Sequence, residues 1–235
     1  MKKHIAILTV LIGSISAALM VLFLKVDFTP KVASTQASQV DSAFRLLFAI
    51  GSFVLVLVLV ILIYSTIVFR PKRGDTTDGP PIKGHNGLEL FWTATPLALV
   101  IGLGIYGALL LQDITRAAPP DQELVVNVTG IQWAWIFEYP KYGVTSGELD
   151  LPVNRPVLFK LESKDVIHSF YVPEFRIKED VVPGLNNELR ITPTRIGDYT
   201  ATCAEICGLG HSVMHAPVKV LSQADFDSWV AQQKK

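Results

Sequence analysis

Three stretches without a single charged side chain limit what this sequence can fold into: Ile5 to Leu24, Leu46 to Phe69 and Trp92 to Leu111. A bilayer's hydrocarbon core, about 30 Å thick, is crossed by about 20 such residues in a helix. Buried helices of soluble proteins rarely run so far without a polar face. Composition agrees, since 50% of the 235 residues are hydrophobic and only 18% are charged. The formal net charge is zero, so no basic field recruits nucleic acid. The partner to expect from the first half of the chain is a lipid bilayer.

The first stretch follows Met1-Lys2-Lys3, and a basic start before an apolar run is the pattern of a secretory signal. It is also long enough to span, so residues 1–25 read either as a signal peptide or as an extra transmembrane helix. The second and third stretches predict a two-helix hairpin over residues 40–116, with a loop at 70–91. That loop carries Arg70, Lys72, Arg73 and Lys83, which places it in the cytoplasm. Either reading of the first stretch then puts everything after Leu111 on the outer side. A bacterial cytoplasmic membrane, with the C-terminal domain on its periplasmic face, is the expected location.

From Gln112 the pattern changes. Ala117-Ala118-Pro119-Pro120 reads as a linker, and residues 121–235 as one outer domain. Strand-like segments follow at Leu124 to Thr129, Gln132 to Tyr139, Val157 to Leu161, Glu188 to Thr192, Tyr199 to Cys203 and Ala216 to Leu221. Pro152, Pro173, Pro183-Gly184 and Gly197 punctuate them. Many short strands predict an all-β sandwich or small barrel. A final helix is expected from Gln223 to Ala231, with Ser222 and Asp225 at its start as a capping box.

Chemistry concentrates in Cys203-Ala204-Glu205-Ile206-Cys207-Gly208-Leu209-Gly210-His211-Ser212-Val213-Met214, which holds both cysteines of the chain. Thiolate, imidazole and thioether together favour copper. Zinc competes but has no use for a methionine. A plain disulfide between two cysteines outside the cytoplasm is the other reading of the pair alone. A single blue copper needs one Cys, two His and a weak Met. The surplus cysteine therefore suggests two metal ions sharing two thiolate bridges, and such a centre needs a second imidazole. His168, in Asp165-Val166-Ile167-His168-Ser169-Phe170, is the candidate. His215 reads as lying beside or outside the site, because neighbours on a strand face opposite ways. His85 and His4 belong to the cytoplasmic side.

These residues resemble the binuclear copper A loop of cytochrome c oxidase subunit II. The resemblance extends to Val166-Ile167-His168-Ser169-Phe170 with Val172-Pro173, to Lys178-Glu179-Asp180-Val181-Val182-Pro183-Gly184, to Gly130-Ile131-Gln132-Trp133-Ala134-Trp135 and to Glu89-Leu90-Phe91-Trp92-Thr93-Ala94-Thr95-Pro96. It covers the chain from about residue 40 to the end. It implies a cupredoxin-like Greek-key β-barrel anchored by the transmembrane hairpin. It implies two copper ions bridged by Cys203 and Cys207, with His168 and His211 on one copper each. Met214 and the Glu205 carbonyl become weak ligands, and the Glu205 side chain points to magnesium or manganese at the contact with the catalytic subunit. Trp133 is implied as the point where electrons arrive from cytochrome c. Glu89 is implied at the mouth of a proton path into the partner.

The implied activity is that of a cytochrome c oxidase. Electrons pass from cytochrome c, through this chain, to haem in the catalytic subunit, where oxygen is reduced to water with proton translocation. Haem sits only in that partner; this chain has no Cys-x-x-Cys-His, so the donor is a separate protein. Catalytic subunit I and further oxidase subunits are the implied neighbours. Three positions depart from the family's usual pattern: Ala134 between the tryptophans, Leu185 after Pro183-Gly184, and Lys164 beside Asp165. They make the docking face less acidic, leaving Glu138, Glu148, Asp150, Glu162 and Asp165 as candidates to meet a lysine-rich cytochrome. A copper-free quinol oxidase subunit lacks this ligand set. A copper A subunit serving a nitric oxide reductase shares it.

Overall fold

The computed structural model describes residues 2–26, 28–81 and 83–234. They form two compact units, one of residues up to 28 and 42–109, the other of residues 29–41 and 110 onward. The first contains the three predicted apolar segments as helices: α1 (Lys2–Lys25), α2 (Thr35–Val68, whose first turns belong to the second unit) and α3 (Asn86–Ile114, whose last residues from 110 belong to the second unit). Each is long and apolar enough to cross a membrane. At 1.5 Å per residue, even the 24 residues of α1 reach about 36 Å. Apolar side chains surround the helices on all sides, as suits a lipid solvent. α1 and α2 run antiparallel. His4 Nδ1 and the Tyr64 hydroxyl share a 2.7 Å hydrogen bond, and the rings of Phe23 and Phe48 stack 5.4 Å apart. The loop ahead of α3 ends in a reciprocal cap. Leu88 N–H donates to His85 Nδ1 at 3.1 Å, and His85 N–H donates to Glu89 Oε1 at 3.1 Å.

The second unit is a cupredoxin-like pair of five-stranded sheets. One sheet has the order β3 (Val144–Ser146), β2 (Ala134–Tyr139), β1 (Leu124–Ile131), β5 (Val157–Ser163), β8 (Asn187–Ile191). The other has the order β4 (Leu149–Pro152), β10 (His215–Leu221), β9 (Gly197–Cys203), β6 (His168–Tyr171), β7 (Lys178–Val181). The β1–β5 and β10–β4 pairs are parallel and the rest antiparallel. Alternation sets the faces. β1 buries Leu124, Val126 and Val128, and β2 buries Trp135, Phe137 and Tyr139. These meet Phe159, Phe170, Val218 and Val220 in one continuous core. The Tyr139 hydroxyl accepts from Asp150 N–H at 2.8 Å and donates to Asp150 O at 3.0 Å, fixing β4. α4 (Gln223–Gln233) closes the chain. As predicted, Ser222 Oγ accepts from Asp225 N–H at its start.

Residues 29–41 are a strap on this domain, which the sequence did not announce. Ala33, Ser34 and Ala37 are fully buried, and Ser34 forms a β-bridge with Pro193. Ala33 N–H donates to Glu174 O at 3.1 Å, Thr194 N–H donates to Ala33 O at 2.8 Å, and Thr35 N–H donates to Thr192 O at 3.0 Å. Arg176 clamps the strap. Its Nε and Nη2 reach Asp41 at 2.8 and 3.2 Å, its Nη1 donates to Pro173 O at 2.8 Å, and it also contacts Pro30 O. Arg176 adopts a left-handed φ of 66°, which turns its side chain from the 3₁₀ turn Pro173–Phe175 toward the strap.

Candidate metal centre

The core builds the site. β9 ends at Cys203, opposite Phe170 of β6, and β6 begins at His168. After Cys203 the chain leaves the sheet, turns through 204–210, forms a 3₁₀ turn at His211–Val213 and re-enters as β10. Cys203 N–H donates to Met214 O at 3.1 Å, so the loop's two ends are stitched together. Ala204 N–H donates to Ser169 O at 2.9 Å, which ties the loop to β6. Gly208 has a φ of +122°, a region that side-chain-bearing residues avoid.

The predicted ligands converge. Cys203 Sγ lies 3.8 Å from His168 Nδ1, 3.7 Å from Cys207 Sγ and 3.2 Å from the Glu205 carbonyl. Cys207 Sγ lies 3.7 Å from His211 Nδ1 and 3.8 Å from Met214 Sδ. The sulfurs are too far apart for a disulfide, whose S–S bond is about 2.05 Å, and both thiols are free. Ligand atoms of His168, Cys203 and Cys207 fall within 4.8 Å of one another, while His211 lies outside that group and faces Cys207. The order is thus imidazole, thiol, thiol, imidazole. One oxygen joins on the Cys203 side and one thioether on the Cys207 side.

Surroundings hold this geometry. His168 is fully buried, and its Nε2 donates to Asp165 Oδ1 at 2.8 Å, leaving Nδ1 aimed at the thiols. Burial works to raise the Asp165 pKa, but hydrogen bonds from His168 and from the N–H groups of Val166 and Gln132 outweigh it and hold it low. Burial, then the neighbouring Cys203, pushes the Cys207 thiol up to about 11. Two adjacent buried thiols resist becoming thiolates unless a cation compensates them. Trp135 packs edge-on against His168 at 5.9 Å, and a Cβ on Gly130 would sit 3.0 Å from the imidazole. Gly130 therefore belongs to the site. Its signal was the glycine that opens the Gly-x-Gln-Trp motif.

Trp133 and Trp135 do not share a face. Gln132 and Trp133 form the two-residue turn between β1 and β2, so alternation restarts at Ala134. Trp135 is core, whereas Trp133 is 41% exposed and lies against the ligand loop. A Cβ on Gly210 would come within 2.5 Å of its indole. The Glu205 side chain is exposed while its carbonyl faces Cys203. His215 is exposed outside the cluster, as expected. Among the five acidic candidates for a docking face, Asp150 is only 1% exposed and is removed from it, because Tyr139 and the surrounding core cover it. Glu148 pairs with Lys219 at 2.7 Å on the other sheet. Glu138 and Glu162 line one groove together with Glu188 and Lys160.

Comparison with known proteins gives the family. The family model described as the transmembrane domain of cytochrome c oxidase subunit II matches residues 22–110, and that of its periplasmic domain matches residues 144–221. Cytochrome c oxidase subunit 2 of Thermostichus vulcanus is 34% identical, over 87% of this chain and 78% of its own length. The chain belongs to the cytochrome c oxidase subunit 2 family. The subunit 2 of a Synechocystis species is also 34% identical, over 86% of this chain and 74% of its own. Among solved structures, the periplasmic domain of subunit II of cytochrome oxidase from Bradyrhizobium japonicum is 28% identical. It covers 52% of this chain and 96% of that one, with a TM-score of 0.47. Membership and the three long apolar helices make this a membrane protein, and its β-domain carries a Cys/His cluster that could hold a metal ion.

Proposed function

We propose that this chain takes electrons from cytochrome c at a two-copper centre and passes them to haem in a catalytic partner subunit that reduces oxygen. The observation that carries the reading is the ordered donor set. Two buried thiols stand 3.7 Å apart, and each faces its own imidazole nitrogen at 3.7–3.8 Å. A single tetrahedral ion needs four donors around one point. Donors in this order instead provide two sets that share two sulfurs, and soft sulfur with imidazole selects copper. Bound there, the two coppers supply a one-electron store spread over both metals.

The chain's own residues account for the rest. Strand β6 begins at His168, β9 ends at Cys203 and β10 starts directly after Met214, so these three donors have little to move when an electron arrives. Asp165 keeps His168 in the tautomer that presents Nδ1. Trp133 offers an exposed aromatic face in contact with the ligand loop, suited to a docking partner with an exposed haem edge. Glu138, Glu162 and Glu188 add negative charge on the neighbouring sheet and favour a lysine-rich donor. The Glu205 carboxylate, on the outer side of the loop, is a hard oxygen ligand for magnesium or manganese where this chain meets its partner. The basic loop before α3 faces the cytoplasm and the β-domain the periplasm. In that orientation Glu89 stands at the cytoplasmic end of α3. Its carboxylate caps that helix and, in the assembled complex, serves the partner's proton path.

The test is stopped-flow mixing of the purified oxidase with reduced cytochrome c. Copper–thiolate absorption should bleach before haem reduction. A Trp133→Ser oxidase should keep its copper spectrum and slow donor oxidation by tenfold or more. Haem reduction with no prior change at the copper absorption would overturn the reading.

A further inference from the structure

The middle of the ligand loop is weakly anchored by apolar contacts. Ile206 and Leu209 point outward, with Leu209 96% exposed. Segments with few buried contacts open locally at low cost. Yet Cys207 lies in this stretch, and its thiol has to stay opposite Cys203. Among the described residues, one hydrogen bond ties 205–210 to a residue outside 203–214: Gln132 Nε2 donates to the Cys207 carbonyl at 2.7 Å. Gln132 is itself fixed, because its backbone N–H donates to Asp165 Oδ2 at 2.7 Å. The other oxygen of Asp165 accepts from His168 Nε2. A line of bonds thus runs from Cys207 through Gln132 and Asp165 to His168, joining ligands from two separate elements. The next residue, Trp133, lays its ring on Gly210 of the same loop. A Cβ on Gly208 would lie 2.8 Å from Gln132 Nε2, so the glycine makes room for the amide.

We infer that Gln132 is a positioning residue of the metal centre: its side-chain amide holds the Cys207 carbonyl and so keeps the thiol pair and Trp133 in register. It acts through Cys207 and touches no metal. Its role in the loaded protein rests on the copper reading above; its role in the metal-free loop does not.

The experiment uses the full chain in detergent, metal-free and after copper loading, with Gln132→Met and Gln132→Lys. Methionine keeps the length and loses the N–H donor; lysine keeps a donor. In the metal-free chain, hydrogen–deuterium exchange of residues 204–210 should rise about fivefold in Gln132→Met, the effect of one lost hydrogen bond. It should stay within about twofold in Gln132→Lys, with β1 and β2 amides unchanged in both. After loading, Gln132→Met should bind copper to the same content with a shifted absorption and resonance spectrum. Unchanged exchange in Gln132→Met, equal exchange in both variants, or a loaded spectrum identical to that of the unaltered chain overturns the inference. If exchange responds as expected but no variant takes up copper, the copper reading fails while the positioning of the loop stands.

Discussion

The strap and the ligand loop both bring distant segments of the β-domain together, but their polar atoms meet on different terms. At the strap, Arg176 and Asp41 are almost fully covered and meet at 2.8 Å, charge against charge. At the loop, two thiols and two imidazoles face one another at 3.7–3.8 Å, beyond the contacts of a strong hydrogen bond. The first group of atoms satisfies itself and holds the fold. The second converges without satisfying itself and is shaped for something else. Burial alone does not separate the two, since His168 and Arg176 are both inside; mutual satisfaction does.

The largest effect that would sharpen this contrast lies at the loop and concerns metal rather than stability. Cys203→Ser and Cys207→Ser should each abolish the mixed-valence copper signal while leaving the far-ultraviolet circular dichroism of the full chain unchanged. A collapse of the fold in either variant would make the loop structural. At the strap the outcome reverses. Arg176→Ala leaves Asp41 buried without a counter-charge and should cost about 3–5 kcal/mol, read as a lower unfolding midpoint and new protease cuts within 29–41. The copper content of the folded fraction should not change.

Asp150 stands between these cases. It is buried, its Oδ2 has no hydrogen-bond partner among the described residues, and burial first, then Glu148 against the help of Lys219, pushes its pKa up to about 6. A carboxyl raised in the folded state binds its proton more tightly there than when unfolded. Its contribution is therefore favourable below about pH 4 and is lost as pH rises through about 6. Asp150→Asn should raise domain stability above pH 6 by about 1 kcal/mol, after allowance for partial solvent screening, and have no effect below pH 4. The smallest effect belongs to Lys219 and Glu148, which pair at 2.7 Å with both side chains over 40% exposed. Glu148→Gln should change stability by less than about 1 kcal/mol, an effect that vanishes at high salt.

Much of this was legible in the sequence because the signals were long or chemically specific. Charge-free length gave the three helices. Alternation gave β1, β2, β5, β8, β9 and β10 to within a few residues. β3, β4, β6 and β7 are three or four residues long, too short for a period to show. β6 was found through its histidine rather than its pattern. The strap was invisible because Ala33, Ser34 and Ala37 are small residues of a kind that linkers share, and only the surface they fit shows them to be core. Asp150 read as an acid of the docking face because its cover, Tyr139, comes from another strand. The Cys/His/Met cluster was legible because its spacing is short and its donor types rare. What holds it, the bond from Gln132 to a backbone carbonyl, leaves no mark on composition or period.

The strap also sets how the central claim is tested. A fragment beginning at residue 118 lacks 29–41, so the full chain is the right material. The measurement is copper per chain in the purified, detergent-solubilised protein, combined with electron paramagnetic resonance of the same sample. Two coppers per chain sharing one unpaired electron is the result expected of Cys203 and Cys207 as paired bridges. One copper per chain with a mononuclear signal, or no copper and a Cys203–Cys207 disulfide, would contradict it.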